Sequence, residues 1–373
     1  MGPDWPADSS CRDLSINICC ARGVEGSGAP HPPAASARTD GGEPNQDPMG
    51  AYKASSHKNK RRALSFVLKL AFSLGIIVYL LARYRAELGD VLPTLSQASW
   101  PWLAIAFSLH ALGLVISAYR WQMLARALDD EIPFAYLVRS YLVGTFFNLF
   151  LPTRFGGDVV RVWDGSKYSD SVTKATAIVA VERLTGVIVL FVFAAGASLL
   201  RLDLARRLPV VWAGLALGVA GLAALAVFFL PATGRFLGRP RGPGLAGRAS
   251  AKLLLFRSAV LHFRKSPATF ARATAWAVLL QLNVIAYYLL IGRALRLEIP
   301  VVDYFIFIPL VLLLQILPIT VNGLGLRETA YIQVFAFYGL SAGTAVSFDL
   351  VEIAFGLAVG LLGAAVYVVR KRP

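Results

Sequence analysis

The chain is poor in cysteine, histidine and charge. Its three cysteines, Cys11, Cys19 and Cys20, lie within the first twenty residues, so the rest of the chain has no thiol for a disulfide or a thiolate metal site. Two of only four histidines, His31 and His57, also precede the first apolar stretch, so no histidine-based metal site is expected. Charged residues make up 16% of the chain and hydrophobic residues 56%. Soluble domains are about a quarter charged, so this composition indicates a membrane protein.

Apolar stretches long enough to cross a bilayer follow one another along most of the chain. A spanning helix needs roughly 20 mostly apolar residues, because about 30 Å of hydrocarbon is crossed at about 1.5 Å per residue. Two stretches, 135–152 and 328–340, are shorter or are broken at one end by proline and glycine. The stretches that qualify on length are 64–82, 101–119, 175–200, 209–231, 273–292, 301–321 and 344–369.

Basic residues predict how these stretches are oriented. A basic run precedes the first stretch, the C-terminus is basic, and residues 232–272 carry nine basic residues and no acidic one. Such segments stay on the cytoplasmic side. If all nine stretches crossed, 232–272 would lie outside, so we expect 135–152, which runs into Gly156-Gly157, to re-enter the membrane instead. The predicted fold is an all-α integral membrane protein with about eight transmembrane helices, one re-entrant segment and both termini in the cytoplasm.

The chain divides into a tail and one membrane domain. Residues 1–60 are rich in Pro, Gly and Ser without an apolar period, which predicts a disordered tail that is not a signal peptide. Met49 precedes the basic run, so one hypothesis is that translation starts there. Residues 62–370 form the polytopic domain. Its basic cytoplasmic loop, 232–272, contains either an amphipathic helix on the inner leaflet or a solvated segment.

Two segments share one pattern: a Leu-Pro pair, four residues, a glycine, three residues and an arginine. Each copy also has an asparagine near the break and a second glycine. The identical spacing indicates an internal repeat. The copies comprise Asn148, Leu151-Pro152, Gly156, Gly157 and Arg161, and Leu317-Pro318, Asn322, Gly323, Gly325 and Arg327.

The chemistry of the two segments favours an anion. Proline followed by glycine breaks a helix, and unwound backbone at membrane depth is tolerated only where it is buried in protein or lines a polar cavity. Broken helices at corresponding places in two halves are typical of a transporter binding site. The restarting helix presents N–H groups, and Arg161 or Arg327 follows with a guanidinium suited to phosphate. A lipid-phosphate pocket is therefore predicted; the alternative is close-packing glycines and snorkelling arginines.

Glu182 and Arg183 lie well inside the apolar stretch 175–200. Charges at that depth are costly, so they face a cavity or have a partner. A structural ion pair is favoured over a proton or ion relay. The candidate partners are Asp158, Arg161, Glu328, Asp349 and Glu352.

With these residues the chain resembles the transmembrane-domain family of lysylphosphatidylglycerol synthase, a flippase-like domain that also occurs as a stand-alone protein in many bacteria and archaea. The resemblance covers about residues 62–370 and rests on GTFFNLFLPTRFGGDVVRVW at 144–163, AVERLTG at 180–186 and LPITVNGLGLRETA at 317–330. It implies a helical domain that handles lipids and, when fused to a synthase, moves an aminoacylated phospholipid between leaflets. The matching positions are Asn148, Pro152, Gly156, Gly157, Asp158, Arg161, Glu182, Arg183, Asn322, Gly323, Gly325, Arg327 and Glu328.

Three functions fit these observations. The first is flippase-like transport of a phospholipid or polyprenyl phosphate in the plasma membrane, without cofactor or metal and without a Gly-x-x-x-x-Gly-Lys-Ser/Thr loop for ATP. The second is a transferase acting on a lipid-linked substrate, although the acidic triplet Asp129-Asp130-Glu131 is more typical of a solvated turn. The third is a non-transporting envelope scaffold.

Membrane lipids are the expected partners, together with a separate lipid-modifying enzyme. The chain stops at Pro373 without room for a soluble aminoacyl-transferring domain, so it is not expected to synthesise lysylphosphatidylglycerol itself. Nucleic acid is discounted despite the formal charge of +15, because the basic residues flank apolar segments and meet lipid headgroups there.

Overall fold

The computed structural model describes residues 87–150, 156–169, 171–239, 244–262, 267–316, 320, 323 and 325–370, together with 75, 78, 79 and 82. Within these ranges the chain is helical apart from short turns, and no residue lies in a strand. The predicted tail, Met49, most of stretch 64–82, Pro152, Pro318 and Asn322 lie outside the described residues.

After a 3₁₀ turn at Glu87–Asp90, thirteen α-helices follow in the described part of the chain. Their bounds are α1 (Val91–Ser96), α2 (Trp100–Arg126), α3 (Phe134–Phe150), α4 (Gly156–Ser169), α5 (Val172–Leu200), α6 (Leu202–Arg207), α7 (Pro209–Phe229), α8 (Pro231–Leu237), α9 (Leu245–His262), α10 (Pro267–Ala294), α11 (Val301–Leu314), α12 (Leu326–Phe337) and α13 (Ala342–Val369).

Five of these helices are long and apolar enough to cross a membrane: α2, α5, α7, α10 and α13. The all-α membrane fold is thereby confirmed, while the number of eight transmembrane helices stays a prediction. In the basic segment 232–272, where an amphipathic helix was one of two expectations, the structure has the helices α8 and α9.

Two pairs of shorter helices form hairpins. Near the turn of the α3–α4 hairpin, the Gly157 N–H donates to Asn148 Oδ1 at 2.6 Å, and farther out Ser140 Oγ donates to Asp164 Oδ2 at 2.9 Å. In α11–α12, Tyr338 at the end of the hairpin hydrogen-bonds to Asp303 at its start. Each hairpin therefore returns to the end of the bundle where it began. Its arms have 12 to 17 residues, about 18–26 Å, which is less than the thickness of the hydrocarbon core.

The two halves of the bundle repeat one arrangement of a long helix, a hairpin and a second long helix. Helices α2 to α5 have 27, 17, 14 and 29 residues, and α10 to α13 have 28, 14, 12 and 28. The equivalent helices α2 and α10 are antiparallel: the Ser99 N–H donates to the Ala294 carbonyl at 2.9 Å, and at the opposite end Tyr119 contacts Trp276. The internal repeat is therefore present, and it is inverted.

Glycine allows the long helix α13 to approach the hairpin arm α3 closely. A Cβ on Gly363 would overlap the backbone carbonyl oxygen of Leu142 and lie 3.2 Å from Phe146 Cβ. We expect Gly363→Ala to lower the free energy of unfolding by about 1–3 kcal/mol, because the added methyl overpacks this crossing. Thermal unfolding in detergent measures the effect.

The matched control lies two turns earlier on the same helix. A Cβ on Gly356 meets no atom within 4 Å, and alanine is the better helix former, so Gly356→Ala should not lower the melting temperature. Equal melting temperatures for the two variants would contradict the overpacking explanation.

Candidate functional site

The first candidate site, which we call the Arg161 cluster, is a buried group of charges where α2, α3, α4 and α5 meet. Arg161 on α4 forms ion pairs with Glu182 on α5 and, at 3.1 Å, with Asp158 one turn earlier. Its guanidinium lies 3.8 Å from the centroid of the Tyr141 ring and 4.7 Å from that of Trp121. Only 5% of Arg161 is exposed. Carboxylates and aromatic faces thus hold this arginine inside the protein.

Two more arginines complete the Arg161 cluster. Arg183 pairs with Asp158 at 2.8 Å, and 45% of its side chain is exposed. Arg120 on α2 donates to Thr185 Oγ1 at 2.8 Å and to the Glu182 carbonyl at 3.1 Å. Among the described residues, Arg161 and these two arginines face two carboxylates, which leaves one excess positive charge. Two of the five candidate partners are confirmed, since Arg161 pairs with Glu182 and Asp158 pairs with Arg183. The prediction was wrong for the other three, which pair with Arg327 instead: Glu328, Asp349 and Glu352.

The two arms of the α3–α4 hairpin approach each other closely at Gly157. Asn148 accepts the Gly157 N–H, and a Cβ on Gly157 would overlap the Gly144 carbonyl oxygen and lie 2.8 Å from Asn148 Nδ2. Gly157 is therefore required for the close approach of the two arms. One N–H expected to face an anion is instead bound by Asn148, and Gly156 begins α4 as a buried residue.

The second candidate site, the Arg327 cluster, has the opposite charge balance. Arg327 on α12 pairs with Asp349 and Glu352 of α13 at 2.6 Å each, and lies 3.8 Å from Glu328. It is 6% exposed. Counted over the residues that the structure describes, one arginine and three carboxylates leave two excess negative charges when all are ionised.

Both clusters are built around an equivalent arginine–glutamate pair. Glu182 and Glu352 each lie ten residues after the first residue of the long helix that follows the hairpin. Arg161 and Arg327 each lie four residues after the equivalent glycine of the break. The inverted repeat therefore places the same buried ion pair in each half of the bundle.

The second break needs glycine for its backbone conformation. Gly323 and Gly325 have φ angles of 82° and 84°, a region that side chains disfavour. The Gly325 N–H donates to Glu328 Oε2 at 2.6 Å, which caps α12. Gln315, at the end of α11, is 3% exposed, and neither of its amide atoms has a hydrogen-bond partner among the described residues. Because an unsatisfied buried amide is costly, the break has capacity for a polar ligand.

Sequence reasoning missed the residues that approach Arg161 from other helices. Tyr141 stacks on it from α3, Trp121 contacts it from α2, and Arg120 donates to the backbone carbonyl of Glu182. The one available signal was Arg120, a charge that directly follows the apolar stretch 101–119. The two aromatic residues resemble ordinary core residues until the helices are assembled.

These features define a multi-pass membrane protein built from two inverted repeats, each with a broken-helix hairpin and a buried arginine. The chain belongs to the lysylphosphatidylglycerol synthase transmembrane-region family, whose sequence model matches residues 66–364. It is 24% identical over 336 residues to a "UPF0104 membrane protein" of Methanothermobacter thermautotrophicus, an alignment that covers 80% of this chain and 92% of the relative. No solved structure matches the chain. The resemblance seen in the sequence is thereby confirmed.

Proposed function

We propose that the protein is a flippase-like lipid transporter that binds the headgroup of a phospholipid or polyprenyl phosphate at its two broken-helix segments. The observation that carries this proposal is the equivalent pair of buried arginine clusters in an inverted repeat. Ionisable groups inside membrane bundles mark substrate pathways, and breaks at corresponding places of two halves are typical transporter sites. Membrane lipids are then its partners, and a separate enzyme supplies or consumes the lipid.

The Arg161 cluster is the better place for the phosphate. It has an excess positive charge, and the half-exposed Arg183 connects its interior to the surroundings. Asp158 bridges Arg161 and Arg183, so a phosphate that takes the place of this carboxylate would receive hydrogen bonds from both guanidiniums. Asp158 thus holds the two guanidiniums until a lipid phosphate takes its place.

The Arg327 cluster suits the remaining polar part of a headgroup. Its excess of carboxylates disfavours a phosphate, whereas the amide of Gln315, which is unpaired within the described part of the chain, can bind hydroxyl or ammonium groups. Helix α2 passes both clusters. His110 on α2 lies near the Arg327 cluster, because its ring contacts Phe355, one turn beyond Glu352. Arg120 of the Arg161 cluster lies ten residues farther along α2, so the two clusters are about 15 Å apart along that helix. A headgroup passing between them would be bound first at one end and then at the other.

An apolar groove beside the Arg161 cluster fits a hydrocarbon tail. It has a volume of about 430 Å³ and lies among α5, α7, α9 and α10. Thr185 belongs to both places, since it lines the groove and accepts a hydrogen bond from Arg120. Polar and apolar sites that adjoin in this way complement an amphipathic ligand. The groove is lined mainly by Val181, Leu184, Ile188, Leu225, Phe229 and Phe270.

The protein is proposed to reside in the plasma membrane with both termini in the cytoplasm. The basic segment 232–272 and the basic residues from Arg370 onward support this orientation, because such segments are retained on the cytoplasmic side. The end of the bundle that contains Arg370 then faces the cytoplasm.

Arg183→Ala tests the proposed phosphate contact. Arg183 is half-exposed, so the fold should survive its loss. Because a hydrogen bond to a charged group contributes about 1.5–3 kcal/mol, we expect transbilayer movement of labelled phosphatidylglycerol to slow by about tenfold or more. The measurement uses sealed vesicles that contain the purified protein.

Lys174→Ala is the matched control. Lys174 lies on the same helix nine residues before Arg183, has a 43% exposed side chain and pairs with Asp130 at 3.4 Å. Its loss should leave the rate unchanged. If both variants transport at the wild-type rate, Arg183 does not contact the phosphate; if both slow equally, the effect is general to the helix.

A further inference from the structure

Two ion pairs connect the repeats at equivalent helix ends. Arg370 follows the last residue of α13 and pairs with Asp164 of α4 at 2.7 Å. Arg201 follows the last residue of α5 and pairs with Asp303 of α11, also at 2.7 Å. Neither aspartate has any exposed surface. Since α5 and α13 are equivalent, the two arginines occupy the same position of the repeat.

Each of these pairs joins one repeat to the other. Arg370 belongs to the second repeat and binds the hairpin of the first, whereas Arg201 belongs to the first repeat and binds the hairpin of the second. The packing of the helices has the same reciprocity, because α13 lies against α3 and α5 lies against α11. A movement of one repeat relative to the other therefore acts directly on both pairs.

The two pairs lie at opposite ends of the bundle. Helix α5 begins beside Leu128, to whose carbonyl Lys174 Nζ donates at 3.2 Å, and ends at Arg201. Leu128 precedes α3, and the start of α3 lines a groove together with Arg370. Arg370 is therefore near the beginning of α5, and Arg201 is at its other end. The 29 residues of α5 span about 43 Å, comparable to a whole bilayer.

A tyrosine supports each pair. The Tyr136 hydroxyl donates to the backbone carbonyl of Asp164 at 3.4 Å, and the Tyr338 hydroxyl donates to the Asp303 carboxylate. Burial and the hydrogen bond to Asp303 raise the pKa of the Tyr338 phenol well above its usual range, so it remains a donor.

We propose that Arg370–Asp164 and Arg201–Asp303 are the two gates of an alternating-access cycle, a role that rests on the proposed transport function. Both ion pairs are formed in this structure, so both gates are closed. Because an unpaired buried aspartate is costly, a gate parts only as water enters at its own end. A groove of about 600 Å³ lined by Tyr136, Arg139 and Arg370 lies beside the first gate, where a headgroup would enter.

Sided thiol labelling tests the gates without requiring transport. The reporter is His110→Cys in a chain whose Cys11, Cys19 and Cys20 are replaced by serine. His110 lies ten residues after the start of α2 at Trp100 and sixteen before its end at Arg126, so it is about 15 Å and 24 Å from the two ends of that helix. A membrane-impermeant maleimide is applied from each side of sealed vesicles. The reporter protein itself should label slowly from both sides.

Neutral gate variants should open one side each. Asp164→Asn with Arg370→Gln removes both charges of the first gate, and Asp303→Asn with Arg201→Gln removes those of the second. We expect each to raise the labelling rate about tenfold or more from its own side only, the effect of losing one charge-assisted hydrogen bond. A rise from both sides, from the wrong side or from neither would overturn the proposal.

A control and a transport assay separate the possible failures. The control variant is Asp130→Asn with Lys174→Gln, which removes an ion pair at the Arg370 end of the bundle. Both of these residues belong to the first repeat, so the variant should not change the labelling rate. An equal rise in this control would also overturn the gates. If the reporter protein moves no phosphate lipid while labelling follows the gates, the transport function fails and the gates stand. If it moves lipid while neither gate variant alters labelling, the gates alone fail.

Discussion

Arg161→Ala is expected to lower the free energy of unfolding by about 3–5 kcal/mol and to abolish lipid movement. Removing one member of a buried ion pair leaves the other charge uncompensated, and Glu182 is only 7% exposed. The aromatic surfaces of Tyr141 and Trp121 also lose the guanidinium that lies on them. Thermal unfolding in detergent and lipid movement in vesicles measure the two effects.

A double variant separates folding from transport at this position. Arg161→Leu with Glu182→Leu removes both charges and retains apolar volume, and such replacements are often neutral for stability. We expect the double variant to recover most of the stability lost in Arg161→Ala while lipid movement stays absent. A stable double variant that moves lipid at the wild-type rate would show that Arg161 is only structural.

Arg327→Ala is expected to be still more destabilising than Arg161→Ala. Arg327 is the cation that holds Asp349, Glu352 and Glu328, so its loss leaves three carboxylates close together. In the Arg161 cluster, by contrast, Arg183 and Arg120 remain after the substitution. The yield of monodisperse protein and its melting temperature measure the difference.

Removing carboxylates should rescue the Arg327 variant. Adding Asp349→Asn and Glu352→Gln to Arg327→Ala eliminates two of the three remaining charges, so we expect most of the folded yield to return. Arg293→Ala, which removes an exposed arginine near the end of α10, is the control and should have no effect. Wild-type stability for Arg327→Ala alone would contradict the charge count of this cluster.

The breaks of the two hairpins could be predicted from the sequence, because they depend on residue types close together in the chain. A proline followed within a few residues by glycine favours a helix break, so the shared spacing up to Arg161 and Arg327 located both breaks and the repeat. The cost of charge in a membrane likewise predicted partners for Glu182 and Arg183, and two of the candidates proved correct. These inferences needed only residue types and short spacings.

The packing of the helices and the ion pairs between distant residues could not be predicted from short sequence patterns. Hydropathy treated 301–321 and 328–340 as separate spans, whereas α11 ends at Leu314 and forms a hairpin with α12. Asp349 and Glu352 were considered as partners of Glu182 and Arg183, but they bind Arg327. Arg201–Asp303 and Arg370–Asp164 join residues 102 and 206 positions apart, which no local pattern indicates.

The charge difference between the two clusters also emerged only from the assembled helices. From the sequence, the two Pro-Gly-Arg segments were expected to hold a phosphate in the same way. The long helices supply one glutamate to Arg161 but two carboxylates to Arg327, so equivalent breaks acquire different electrostatics. This asymmetry is why we assign the phosphate to the first half of the repeat.

The most direct test of the proposed function compares lipids that carry a phosphate with a lipid that does not. Sealed vesicles containing the wild-type protein are loaded with labelled phosphatidylglycerol, a labelled polyprenyl phosphate or a labelled neutral glycolipid, and transbilayer movement is followed over time. We predict protein-dependent movement of at least one phosphate lipid and none of the glycolipid. Equal movement of all three lipids, or movement of none by well-folded protein, would contradict the proposal that a headgroup phosphate is recognised at the Arg161 cluster.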